Sequence, residues 1–103
     1  MTHPAQQLDD TVHQRVRLGI LAVLSEARRA DFAYLRDVLE LTDGNLSRHI
    51  GVLEAAGLVR VEKGFEGKRP RTWVESTPEG RAALDAETKA LRELIAQIDR
   101  GSR

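Results

Sequence analysis

The last quarter of the chain reads as one long amphipathic helix, and that helix limits what the rest can fold into. Thr77-Pro78 is a strong start: a hydroxyl for the cap, then a proline in the first turn, where its missing N–H costs nothing. The pattern runs to about Arg100, with Leu84, Leu91, Ile95 and Ile98 on one stripe and Leu94 beside it, a spacing close to a heptad seam. About 22 residues at 1.5 Å each make roughly 33 Å of helix. The chain has 103 residues, enough for one compact domain with a thin stability margin. Its core is too small to cover a rod of that length. The uncovered apolar stripe predicts an interface, with a second copy of the chain as the partner.

Composition narrows the class. At 41% hydrophobic and 31% charged residues, the balance is that of a soluble globular domain. There is no cysteine, which excludes disulfides and thiolate metal sites. With only His3, His13 and His49 left as soft ligands, neither a metal nor another cofactor is expected. The N-terminus, MTHPAQQLDD, carries no apolar signal core, and no stretch approaches the roughly 20 apolar residues of a membrane span. A cytoplasmic location and no membrane partner are the expectation. Sixteen basic residues balance sixteen acidic ones, so no overall charge draws the chain to a polyanion. The distribution is uneven, however. Between Arg60 and Arg71, the cations Arg60, Lys63, Lys68, Arg69 and Arg71 face only Glu62 and Glu66. A local patch, rather than the total, is what binds phosphate.

Residues 1–10 read as a tail. A first helix is predicted from near Thr11, where Thr11 and Gln14 have the spacing of a capping box, to about Ala27. Its apolar residues, Leu18 and Leu21 among them, cover more than one face, so one side is free for a partner subunit. Ala30–Phe32 is a short extended link. A second helix over about 33–39 turns Leu35, Val38 and Leu39 inward. Thr42 or Asp43 caps a third helix, NLSRHIGVLEAAG, whose Leu46, Ile50 and Leu53 form one inward stripe. Gly57 closes it in the left-handed position. LVRVEK alternates as a strand, GFEGKRP is a glycine-rich loop, and RTWVES is a second strand.

Two short helices joined by a tight turn, then a hairpin, make a helix-turn-helix with a wing. The fold class is mainly α with a small β-hairpin: a winged helix-turn-helix over residues 11–77 and a dimerisation helix over 78–103 in the same domain. DGNLSRHIGVLEAAGLV, the basic hairpin and STPEGRAAL resemble the MarR/ArsR-like winged-helix transcriptional regulators. The resemblance covers residues 10–98 and is nearest to the short, effector-less winged-helix subgroup. Ser76 departs from the pattern, where leucine is usual, which weakens the apolar anchoring of the hairpin.

The resemblance implies that the third helix enters the major groove of double-stranded DNA, and that pairing runs through the first and last helices. The residues agree. With the leucine stripe inward, Gly44, Asn45, Arg48, Gly51, Val52 and Ala55 face outward and Ser47 lies at the flank. This face is small and polar around one long cation. Arg48 has the fork that matches guanine O6 and N7, Asn45 suits adenine or a phosphate, and Ser47 suits a phosphate. His49 reads as a half-buried hydrogen-bonding residue or phosphate contact. On the wing, Lys63, Lys68, Arg69 and Arg71 are the candidate phosphate or minor-groove contacts. Trp73 packs at the wing base. The dimer set is Leu18, Leu21, Leu84, Leu91, Leu94, Ile95 and Ile98.

The expected function is sequence-specific regulation of transcription, as a repressor, by a homodimer on a near-palindromic site. A protein-interaction module that keeps the fold without DNA contact is the alternative; neutral net charge and the acids Asp43 and Glu54 fit it. No nucleophile–base pair, phosphate loop or metal triad suggests an enzyme. An effector is left open, with the dimer seam as its place.

Overall fold

The computed structural model describes residues 2–102. A short 3₁₀ turn, Pro4–Gln7, leads to α1 (Arg15–Glu26), β1 (Arg29–Asp31), α2 (Phe32–Val38), α3 (Asp43–Ala55), β2 (Val59–Glu66), β3 (Arg69–Ser76) and α4 (Pro78–Gly101). The strands form one antiparallel sheet in the order β1-β3-β2. No helix among the described residues is long and apolar enough to cross a membrane.

The core forms where α1, α2 and α3 close over the sheet. Val16, Ile20, Leu21 and Leu24 of α1 meet Leu35, the α3 stripe of Leu46, Ile50 and Leu53, and Ala30, Val59 and Val74 from the sheet. Leu21 is completely buried there, so it has no surface to give a partner and drops out of the expected dimer set. Val38, expected inward, is half exposed. In a helix of only two turns Leu35 and Leu39 occupy the inward positions, and Val38 falls beside them.

The first helix starts later than the capping-box spacing predicts. Thr11 lies in a turn, its N–H donating to Asp9 Oδ1 at 2.8 Å. Gln14 is extended and is itself the cap, its Oε1 accepting from the Arg17 N–H at 2.9 Å. Residues 10–14 thus wrap the end of α1, pinned by the fully buried Val12. The segment before them is also ordered. The 3₁₀ turn packs on α4, where the buried Glu87 carboxylate accepts from the Asp9 N–H at 3.0 Å and pairs with His13 Nδ1 at 2.7 Å. A buried carboxylate needs such partners, and here they come from the segment expected to be a tail.

Two backbone devices aim α3. The turn before it places Glu40 at φ 54°, the left-handed region that glycine usually occupies, and the Leu41 N–H closes on the Arg36 carbonyl at 2.9 Å. Strain on the order of 1 kcal/mol is the cost of turning so tightly without glycine. After α3, Gly57 at φ 77° ends the helix as expected. The chain then doubles back: Thr77 donates its N–H to the Leu58 carbonyl at 3.1 Å and its hydroxyl to the Gly57 carbonyl at 2.7 Å. These polar bonds anchor the hairpin base beside the buried Ser76.

α4 makes the molecule long. Its 24 residues span about 36 Å, and the principal extents are 58 × 24 × 22 Å. Leu84 packs against the core, Leu91 and Leu94 are half-buried, and Ile95 and Ile98 are exposed.

The start of α4 lies so close to the end of α3 that a Cβ on Gly80 would stand 1.9 Å from the Leu58 carbonyl oxygen. Backbone cannot yield there without moving the hairpin. Gly80→Ala is therefore expected to destabilise the fold by about 2 kcal/mol or more, lowering Tm by roughly 10 °C. A thermal melt matching the parent would show that this contact is not tight.

Candidate nucleic-acid interface

Thr42 caps α3 through its hydroxyl, which accepts from the Asn45 N–H at 3.1 Å. Because Leu46, Ile50 and Leu53 are buried, the opposite side of α3 is free. Gly44, Asn45, Ser47, Arg48, Gly51, Val52 and Ala55 are all exposed on it. Arg48 Nη2 donates to Asn45 Oδ1 at 2.9 Å. This one-turn bond lays the guanidinium along the helix face with most of its donors unused. Asp43, the acid at the head of the helix, is taken by Arg36 at 2.9 Å and presents no bare charge. The adjacent carboxylates, Asp37 first and then Asp43, hold that guanidinium more firmly protonated.

His49 stands apart from the other α3 candidates. It is buried, and its Nδ1 lies 3.1 Å from Arg17 Nη1. Arginine only donates, so Nδ1 is the acceptor and the ring is neutral with its proton on Nε2. Arg17 also donates from Nε to the Thr11 carbonyl at 2.6 Å and from Nη2 to the Asp10 carbonyl at 3.3 Å. One guanidinium thereby fastens the N-terminal segment to α3. Sequence reasoning misses Arg17, because one of two arginines in the first turn of α1 carries no signal of its own.

The wing is the expected hairpin, but its strands run on through most of the segment expected to be a long loop at the tip. β2 and β3 pair without a break from Val59↔Ser76 to Glu66↔Arg69. Gly67 at φ 63° takes the first central position of a two-residue turn, the geometry that suits the twist of paired strands. Pro70 is tolerated because β1 pairs only with residues 73–75 of β3, leaving the proline on an open edge. Val59, Val61, Lys63 and Phe65 alternate onto one face of this ribbon, opposite Ser76, Val74, Thr72 and Pro70. A groove of about 390 Å³ separates that face from α3. Ser47, Gly51 and Glu54 line it on the helix side, and Val61, Lys63 and Thr72 on the ribbon side.

Wing cations divide into two sets. Lys63, Lys68 and Arg69 are exposed and have no ion pair among the described residues. Arg71 is engaged internally: Nη2 lies 2.9 Å from Asp31 Oδ2 and 3.4 Å from Glu66 Oε2. Its guanidinium also stacks on Trp73, which Arg29 covers at 4.2 Å. Arg71, expected among the DNA contacts, is thus engaged within the chain and braces the ribbon against Asp31. Asp31 Oδ1 meanwhile accepts from the Tyr34 N–H at 2.7 Å, so one carboxylate caps α2 and holds the wing.

Helix, tight turn, outward helix and a braced ribbon define a winged helix-turn-helix, with α3 and Lys63 of the ribbon on either side of one groove and Lys68 and Arg69 at the ribbon's end. The chain belongs to the winged helix DNA-binding domain family, whose model matches residues 16–95. It is 41% identical over 84 residues to the uncharacterized protein MJ0432 of Methanocaldococcus jannaschii, covering 82% of this chain and 91% of that protein. It is similar to the transcriptional regulator homologue of Pyrococcus horikoshii OT3, at 39% identity and a TM-score of 0.77 over 96% of each chain. In fold it also matches a MarR-family transcriptional regulator of Enterococcus faecalis V583, with a TM-score of 0.78 and 24% identity over 90% of this chain and 84% of the other.

The neutral state of His49 has a consequence for pH. Burial first, then Arg17 and Arg48, push its pKa below the ordinary histidine value. The unfolded chain therefore takes up this proton at higher pH than the fold does. The resulting stability is complete above about pH 6.5 and is lost as pH falls toward the depressed folded value. His49→Gln retains an acceptor for Arg17 but cannot titrate. Its Tm is expected to fall less than the parent's between about pH 7.5 and 5.5; equal slopes in the two melting series would remove His49 as the source.

Proposed function

We propose that the protein is a sequence-specific, DNA-binding transcriptional regulator that acts as a homodimer and represses by occupying its site. The observation that carries this reading is the exposed face of α3, small and polar around Arg48, beside a ribbon with three unpaired cations. α3 enters the major groove with Arg48 on a guanine edge. Asn45 and Ser47 make base or phosphate contacts, and Gly44 and Gly51 permit close approach. Lys63, Lys68 and Arg69 lie along the flanking phosphates. His49 and Arg71 hold the two elements in place without themselves reaching out. The ion pair of Asp43 with Arg36 removes one of the charges that would favour a protein-interaction surface instead.

The homodimer follows from α4. Ile95 and Ile98 are exposed on its outer half, in line with the half-buried Leu91 and Leu94. Two-fold pairing along that seam sets two α3 helices about one DNA turn apart, roughly 34 Å, on a near-palindromic site.

Selection from a random-sequence duplex pool followed by gel-shift titration tests the binding reading. The parent is expected to recover a near-palindromic site and to lose about a thousandfold or more in affinity between about 50 and 200 mM salt. Arg48→Ala should relax preference at one base position per half-site, at a cost of about 1–3 kcal/mol. No retention of any duplex at low salt would end the proposal, and unchanged preference in the variant would remove Arg48 from recognition.

The assembly has its own measurement. Sedimentation of the parent should give twice the chain mass, and Ile95→Glu should return it to the monomer, because a carboxylate in an apolar seam cannot be desolvated without a partner. A monomeric parent would rule out the dimer and leave α3 and the wing to bind a single half-site.

A further inference from the structure

Among the described residues Phe65 is the most exposed of the large apolar side chains, at 76%, and it lies two residues from the tip of a charged ribbon. The chain uses aromatics sparingly, at 4% of residues. Phe32 packs against the core, Arg29 and Arg71 lie over Trp73, and Tyr34 is half exposed, whereas Phe65 stands furthest into the open. Building on the DNA-binding reading above, we propose that Phe65, backed by Pro70, is an apolar wedge that enters the minor groove beside the α3 site and partly unstacks a base step.

Direction comes from the strand. Phe65 lies on the ribbon face of Val59 and Val61, which pack inward, and of Lys63, which lines the groove against α3. It is therefore on the side of the wing that a duplex seated on α3 would meet. Reach comes from the same strand: at about 3.3 Å per residue, Phe65 stands roughly 13 Å beyond Val61. That is far enough to pass a phosphate ridge into a minor groove about 6 Å wide and 7.5 Å deep.

Rigidity comes from the pairing. Phe65 is opposite Pro70, whose ring fixes its own backbone, and regular pairing continues past it to Glu66↔Arg69. At the base, Arg71 ties the ribbon to Asp31. The backbone that carries the ring is thus ordered before binding, so insertion costs only the freedom of the side chain itself.

Charge selects the occupant. Lys63 precedes the phenylalanine on its own face, and Lys68 and Arg69 follow at the turn. All three are exposed and without an ion pair among the described residues. An aromatic ring among cations complements a polyanion with an apolar interior, which is what a duplex presents: phosphates outside, stacked bases within. The favoured steps are the easily unstacked pyrimidine–purine ones, TA and CA/TG, so the wedge adds sequence preference at positions that α3 does not touch.

The probe is the duplex that the parent recovers from the random pool, carrying 2-aminopurine at single steps of the minor groove flanking the α3 site. The parent should raise the fluorescence at one step in each half-site and bend the duplex in circular-permutation gels. Phe65→Ala should lose both signals and bind about tenfold more weakly, with the slope of affinity against salt unchanged because no charge is removed. Phe65→Leu should keep most of both signals. At 76% exposure the side chain supports no packing, so Tm should stay at the parent's value.

Undiminished affinity, fluorescence and bending in Phe65→Ala would overturn the wedge while leaving the DNA-binding reading intact. A Phe65→Ala chain that sediments as a monomer while the parent is a dimer would also overturn it, placing the ring in the self-association contact. A parent that binds no duplex removes both readings together.

Discussion

The burial of Leu46, Ile50 and Leu53 fixes the rotation of α3, and most of the rest depends on that rotation. Each is all but absent from the surface, and each contributes on the order of 1.5–3 kcal/mol through apolar burial alone. A helix has one rotational freedom about its axis, and a stripe at i, i+4 and i+7 removes it. Gly44, Asn45, Arg48 and Gly51 then have no alternative but to face outward. The flanking backbone removes the remaining freedoms. The tight turn at Glu40 sets how α3 enters, and the approach of Gly80 to Leu58 sets how the chain leaves. A recognition surface on so constrained a rod is held without help from its own polar side chains.

A chain with no net charge presents a positive face here because most of the sheet's acids are used internally. Asp31 and Glu66 neutralise Arg71, Glu75 neutralises Arg60 at 2.8 Å, and Asp37 and Asp43 neutralise Arg36. What remains unpaired is Lys63, which lines the groove together with the acid Glu54, Lys68 and Arg69 at the ribbon's end, and Arg48 on the exposed face of α3. The pairs are partly exposed and each is worth little as stability. Their effect is on geometry: they decide which cations are structural and which are free. The total charge of the chain carries no information about this division.

The elements that repeat with a clear period were legible in the sequence. The α3 stripe, the Gly57 stop and the Thr77-Pro78 start needed only spacing and turn chemistry. Errors fell where a tertiary contact overrides a local pattern. Thr11 and Gln14 have the spacing of a capping box, yet Asp9 takes the Thr11 N–H and the helix waits for Gln14. The tip of the wing hairpin, GFEGKRP, looks like a long loop because glycine and proline punctuate it, although Gly67 and Pro70 both occupy places where a ribbon tolerates them. Leu21 is expected at a partner from the broad apolar arc of the first helix and Arg71 at DNA from the basic run of the wing, but the core closes over one and Asp31 holds the other. Phe65 was passed over although strict alternation from Val59 already placed it on the groove face. Glu87 gave no signal at all: one acid on an amphipathic helix is ordinary until residues 9–13 fold onto it.

That last contact links the two ends of the molecule. Glu87 on α4 holds the Asp9 N–H and His13; the carbonyls of Asp10 and Thr11, between them, receive Arg17; and Arg17 donates to His49 on α3. The chain of polar contacts runs from the helix that carries the apolar seam to the helix that carries the outward face. Turning α4 relative to the core would pull on residues 9–13 and unseat the guanidinium that secures His49. The polar chain and the Gly80 contact leave little room for such a turn. Within the chain, α3 and α4 are therefore held at one fixed relation, by side-chain contacts on one side and by backbone contact on the other.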